Sequence, residues 1–169
     1  MEIVTSEVPD LLLTGPCPGC GYPGGRKACQ DLFDEIALRV RALAWTGSLT
    51  TWRLMHDVYS IQHEEDYCGR WRGLIAHLAG VCWGIEHDGS EKGYRAIQKL
   101  VERDHMQGKP YPPAPGIPTQ RGDYTAASLK DFNQPVLLVN GVDRWARSVW
   151  VAFEPLHGIA REWVKLAMG

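Results

Sequence analysis

Gln30-Asp31-Leu32-Phe33-Asp34-Glu35-Ile36-Ala37-Leu38-Arg39-Val40-Arg41-Ala42-Leu43-Ala44-Trp45 places Leu32, Phe33, Ile36, Ala37, Val40, Leu43 and Ala44 on one stripe of a 3.6-residue period. That spacing predicts an amphipathic helix over 30–45, with a face that has to be covered by other helices. The period recurs downstream. Gly47-Ser48 interrupts it, and Thr50 or Thr51 caps a second helix running to about His63, with Leu54, Met55, Val58, Tyr59 and Ile61 on a broad apolar face. A third helix is expected over 72–87, its core side made of Leu74, Ile75, Leu78, Val81, Cys82 and Ile85. Ser90 opens a fourth, striped by Tyr94, Ile97, Leu100 and Val101. Near the end Val142, Trp145, Ala146, Val149, Trp150, Phe153, Leu156, Ala160, Trp163, Val164 and Ala167 keep helical spacing. Pro155 and Gly158 lie inside that last stripe and predict a kink or two abutting helices. No stretch alternates as a strand does. The chain therefore reads as all-α, a bundle of about five helices.

The flanks of these stripes are irregular. Pro9, Gly15, Pro16, Pro18, Pro23 and Gly24-Gly25 punctuate the first 29 residues too often for a helix. Residues 109–118 hold five prolines, which favours an extended strap packed across the bundle. A short helix is expected over 125–132. The organisation is a single domain over 1–169: an irregular segment 1–29, helices over 30–103, a proline-rich loop 104–124 and C-terminal helices over 125–169.

The irregular N-terminus carries the clearest chemical signal, Cys17-Pro18-Gly19-Cys20-Gly21. Two thiols on a tight turn, with a glycine free to take positive φ after them, are the build of a zinc knuckle. A tetrahedral site needs four ligands, and thiolates with imidazole suit Zn2+. Cys29, at the start of the first helix, is the third, because a helix N-terminus favours a thiolate. For the fourth the candidates are His56, His63, Cys68 and His77. His56 and His63 are separated by about 10 Å of helix at 1.5 Å per residue, too far to share one ion. His63 sits at the expected helix end, where a loop can bring the chain round to the knuckle. The metal set is thus Cys17, Cys20, Cys29 and His63, with Cys68 in reserve.

Composition bounds the function classes. The chain has 169 residues, 44% hydrophobic and 22% charged, ordinary for a globular domain large enough to bury its own core. A net charge of −2 gives no electrostatic case for nucleic acid. No apolar run reaches the roughly 20 residues that span a bilayer. Met1-Glu2-Ile3-Val4-Thr5-Ser6-Glu7 lacks the basic, then apolar, build of a secretory signal, and five cysteines fit a reducing cytoplasm.

Other readings of the same residues are weaker. A redox Cys-x-x-Cys needs its first thiol at a helix N-terminus, which Gly21-Tyr22-Pro23-Gly24-Gly25 does not form. Pro16-Cys17-Pro18-Gly19-Cys20 and His63-Glu64-Glu65 match the two halves of a zinc deaminase motif, but in reversed order and without a βα pattern. Arg121-Gly122-Asp123 as an adhesion tripeptide is noise. Cys82 is expected in the core, His87 and His105 at expected helix ends need no function, and His77 and His157, each beside an apolar stripe, read more readily as satisfied buried histidines than as ligands.

The pieces Cys17-Pro18-Gly19-Cys20-Gly21 with Cys29, Asp57-Val58-Tyr59-Ser60-Ile61-Gln62-His63 through Tyr67-Cys68, Ala76-His77-Leu78, Arg121-Gly122 with Thr125, and Trp145-Ala146-Arg147-Ser148-Val149-Trp150 resemble the uncharacterised bacterial family DUF5946. The family tends to have proline after the Gln-His pair, where this chain has Glu64, so the accidental His-x-Glu here carries little catalytic weight. The resemblance implies a small bacterial protein and names no substrate. Two function classes remain. One is a zinc-stabilised module that binds a small molecule or a protein, with Tyr59, Trp83, Trp145 and Trp150 lining a groove. The other is a metal-dependent or acid–base enzyme built on Asp57, Tyr59, Gln62, His63 and His77, in which Asp57 and a histidine facing one cavity form an oriented pair.

Overall fold

The computed structural model describes residues 15–44, 49–68, 71–106 and 116–169. Seven α-helices and no strand occur among them: α1 (Gly25–Ala44), α2 (Leu49–Gln62), α3 (Glu64–Tyr67), α4 (Trp71–Glu86), α5 (Glu91–Met106), α6 (Pro135–Ala152) and α7 (His157–Met168). Two short 3-10 turns, Ala126–Leu129 and Glu154–Leu156, join the later ones. The protein is all-α.

The apolar stripes set the packing. Ile36 and Val40 of α1, Met55, Val58 and Ile61 of α2, and Ile75, Leu78 and Val81 of α4 have no exposed surface. Each such side chain stabilises the fold by about 1.5–3 kcal/mol relative to solvent. α2 lies against α1, α4 and α6, and α4 lies against α2, α5, α6 and α7. These two helices form the centre, so residues on their facing sides are held most rigidly.

Several boundaries differ from the sequence expectations. α1 begins at Gly25, not Gln30, because Arg26, Lys27 and Ala28 are adequate helix formers and Gly25 takes φ +79° at the entry. α5 continues to Met106, past Arg103. α6 starts at Pro135, seven residues before Val142: proline is favoured at the first helical position, where its missing N–H costs nothing. The interruption at Pro155 is a 3-10 turn between two abutting helices, α6 and α7. The expected helix over 125–132 shrinks to the 3-10 turn, capped by Thr125, whose hydroxyl accepts from the Ala127 N–H. Of the expected proline-rich strap over 109–118, residues 109–115 lie outside the described residues.

The expected aromatic groove is not a surface. Tyr59, Trp83, Trp145 and Trp150 are all buried core residues. Burying their rings contributes more to stability than exposing them to a ligand would, and each polar tip finds a partner inside. Trp83 Nε1–H donates to the Ser90 carbonyl, Trp145 Nε1–H to Gln62 Oε1 and Trp150 Nε1–H to Glu86 Oε1.

Candidate metal centre

The knuckle is a backbone construction. The Cys17 N–H donates to the Tyr22 carbonyl at 2.8 Å, and the Gly21 N–H donates back to the Cys17 carbonyl at 2.7 Å. The turn closes only because Gly21 adopts φ +74°, a left-handed conformation that other residues resist. Gly19 has a different reason to be glycine. A Cβ there would lie 2.5 Å from His63 Cδ2 and 2.6 Å from the Gln62 carbonyl oxygen, so the knuckle sits directly on the end of α2.

Cys29 projects from the second turn of α1. His63 follows the last residue of α2, where φ −120° and ψ 47° break the helix before α3 begins. One donor atom from each of Cys17, Cys20, Cys29 and His63 lies within 4.8 Å of the others. Cys20 Sγ is 3.5 Å from Cys29 Sγ, and Cys29 Sγ is 3.4 Å from His63 Nε2. A tetrahedral zinc with bonds of about 2.3 Å to sulfur and 2.0–2.1 Å to nitrogen separates its donors by about 3.5–3.8 Å. The cluster fits such an ion closely.

The imidazole is set for this role. Its Nδ1 lies 2.9 Å from the Tyr59 carbonyl, which can only accept, so in the neutral ring the proton sits on Nδ1 and Nε2 presents its lone pair to the sulfurs. The ring is stacked on Tyr59 at 4.0 Å, and Tyr59 is stacked in turn on Phe33 of α1 at 3.7 Å. The Tyr59 hydroxyl donates to Gln30 Oε1 at 3.2 Å and lies 3.8 Å from Cys29 Sγ.

The sulfurs share charge unequally. Hydrogen bonding from Cys20, then from His63 and Tyr59, brings the Cys29 thiol down to about 4. Cys20 moves up, because its proton is held in the hydrogen bond with Cys29 and burial disfavours a second thiolate beside it. A bound cation would neutralise the Cys29 thiolate and offset the cost of ionising Cys20 beside it.

A fully buried amide holds the end of α2 in place. Gln62 Nε2 donates to the carbonyls of Arg121 and Tyr124, each at 2.8 Å, while its Oε1 accepts from Trp145 Nε1–H at 2.9 Å. Arg121 reciprocates by donating to the Gln62 carbonyl at 2.8 Å and by a two-pronged ion pair with Glu65. The Arg121-Gly122-Asp123 tripeptide is thus a structural clamp, with Gly122 at φ +96° against Ser148, whose Oγ accepts from the Asp123 N–H. Sequence reasoning missed Gln62 and Arg121 as a pair, since 59 residues separate them.

The reserve ligands go elsewhere. Cys68 is buried, donates its S–H to the Ser60 carbonyl, and is pushed up to about 12 by burial. Cys82 is a core thiol, likewise pushed up to about 12. His157 stacks on Trp150 at 3.7 Å and His87 on Trp83 at 4.8 Å, as structural side chains. His56 and His77 meet Asp57 in a second cluster, apart from the cysteines. Asp57 Oδ1 is 2.7 Å from His77 Nδ1 and 4.0 Å from His56 Nδ1. They border a cavity of about 410 Å³ between α2, α4 and α5. His63 is held by the cysteines and does not join this group.

Fold and site together define an all-helical protein with a Cys3His cluster able to bind a metal ion, and among the described residues no helix is long and apolar enough to cross a membrane. The chain belongs to DUF5946, a family of unknown function whose model matches residues 15–154. No curated protein and no solved structure matches it.

Proposed function

We propose that Cys17, Cys20, Cys29 and His63 hold a structural Zn2+ that fastens the irregular N-terminal segment onto α1 and α2, and that the bundle so fixed is a small-molecule binding module. The carrying observation is the mutual approach of four protein donors within 4.8 Å. A set of three thiols and one imidazole fills a tetrahedral shell, leaving no position for substrate, and its softness suits zinc. The ion here does structural work: an irregular, glycine-rich segment has little apolar surface to bury, and metal–ligand bonds supply the attachment. Five free thiols and a buried sulfur-rich centre suit a reducing cytoplasm.

The binding site in this reading is the cavity between α2, α4 and α5, lined by Trp52, Ile97 and Val101 with Asp57 and His77 among its polar groups. The Asp57–His77 contact at 2.7 Å favours a second reading at the same place, an acid–base or metal-dependent enzyme. Elemental analysis of purified protein tests the first part: one zinc per chain is expected, lost in Cys20→Ser together with stability. A metal-free Cys20→Ser protein with unchanged melting temperature would overturn it. A thermal-shift screen of small polar metabolites tests the cavity, with wild-type responses expected to vanish in His77→Ala while zinc is retained.

A further inference from the structure

The two histidines and the aspartate beside the cavity hold more donors than an acid–base pair requires. His56 and Asp57 are neighbours on α2, and His77 faces them from α4, which packs against α2. One donor atom of each lies within 4.8 Å of the others, and the two imidazole rings are 5.5 Å apart. Gly80, one turn beyond His77, makes the approach possible: a Cβ there would stand 2.0 Å from Asp57 Oδ2, so the carboxylate rests against bare α4 backbone.

Charge points the same way. Among the described residues Asp57 has no lysine or arginine partner. The nearby guanidinium of Arg53 is committed to Glu91 by two hydrogen bonds of 2.9 Å. A half-buried carboxylate with no lysine or arginine beside it is a natural partner for a bound cation. Tyr94 also lines the cavity, and its hydroxyl, buried beside Gly84, has no hydrogen-bond partner among the described residues.

We propose that His56, Asp57 and His77 form a second metal site, taking a divalent first-row transition-metal ion at the wall of the cavity. It differs in kind from the cysteine centre. Two imidazoles and one carboxylate suit zinc, iron, cobalt or manganese, and three protein ligands leave coordination positions open. Side-chain exposures of 41%, 15% and 21% for His56, Asp57 and His77 leave the site reachable from solvent. Exchangeable ligands then face the cavity, where an anionic or carbonyl oxygen of a small molecule can bind the ion. The inference rests on reading that cavity as the functional one and names its ligand class.

Cobalt titration of the full chain loaded with a single equivalent of zinc, which the cysteine centre takes, tests the site, because Co2+ bound by thiolates shows intense near-ultraviolet charge transfer, whereas a nitrogen–oxygen site shows only weak visible bands. Wild type is expected to take up one equivalent of Co2+ with visible bands and no thiolate charge transfer. Asp57→Asn and His77→Ala are expected to keep their zinc and helical circular dichroism but to bind Co2+ at least about 100-fold more weakly, since removing even a supporting partner of a ligand costs 10–100-fold. No Co2+ uptake by wild type, uptake only with thiolate bands, or uptake undiminished in both variants would overturn the site. The thermal-shift screen, run without added metal, fails or succeeds separately and so distinguishes loss of this proposal from loss of the cavity reading.

Discussion

Gly19 and His63 are in contact because Gly19 has no side chain: a Cβ would stand 2.5 Å from the imidazole Cδ2. The histidine that completes the cysteine cluster is therefore positioned by the knuckle backbone itself, not only by its own helix. Gly19→Ala must push the ring or the knuckle away from the shared centre. We expect a loss of about 1–3 kcal/mol in stability, as for other overpacked sites, together with weaker zinc retention against a chelator. Paired denaturation and chelator competition check it; an alanine variant that melts and holds zinc like wild type would remove the contact from the account.

Gln62 makes a comparable prediction through polarity. Its side-chain amide satisfies two carbonyls and one indole N–H in a fully buried position. Gln62→Leu leaves those groups without partners, and each such buried group costs about 1–3 kcal/mol. Urea denaturation is expected to show the loss, and Trp145 fluorescence should report a disturbed environment. Retained stability would mean that water or a shift of the 121–124 loop replaces the amide.

Much of this was legible in the sequence, and the gaps have physical reasons. Helices α1, α2, α4, α5 and α7 announce themselves because their apolar stripes are long and in phase. The start of α6 does not: Val136 and Leu137 are 68% and 45% exposed, so they break the stripe, and Pro135 reads locally as a terminator. Four-residue α3 is too short to carry a period. Cys17, Cys20, Cys29 and His63 could be grouped because a knuckle requires more ligands and a helix end supplies reach. The Asp57–His77 pairing was foreseeable only as a conditional, since a contact between α2 and α4 depends on their packing. That His56 joins it, and that Gln62 is a buried junction, are facts of tertiary structure with no local signature.

The Glu86–Arg161 pair gives a prediction with pH. Arg161 donates to both Glu86 oxygens at 2.7 Å, tying the end of α4 to α7, and Trp150 Nε1–H adds a third bond. Chiefly through the Arg161 hydrogen bonds, the Glu86 carboxyl is held below its ordinary 4.5. A carboxylate depressed in the folded state contributes stability that is present above 4.5 and is lost as pH falls through the lower folded value. Glu86→Gln should therefore lower the melting temperature near neutral pH, with the difference from wild type closing as pH drops below about 4.5. A difference that does not change with pH would show that shape, not charge, is what Glu86 contributes.

X-ray absorption at the zinc edge, on protein loaded with one equivalent of zinc, addresses the central claim most directly. The account predicts a four-coordinate shell of three sulfurs at about 2.3 Å and one nitrogen at about 2.0–2.1 Å. A shell of nitrogen and oxygen alone, or two sulfurs with bound water, would contradict a closed Cys17/Cys20/Cys29/His63 clasp.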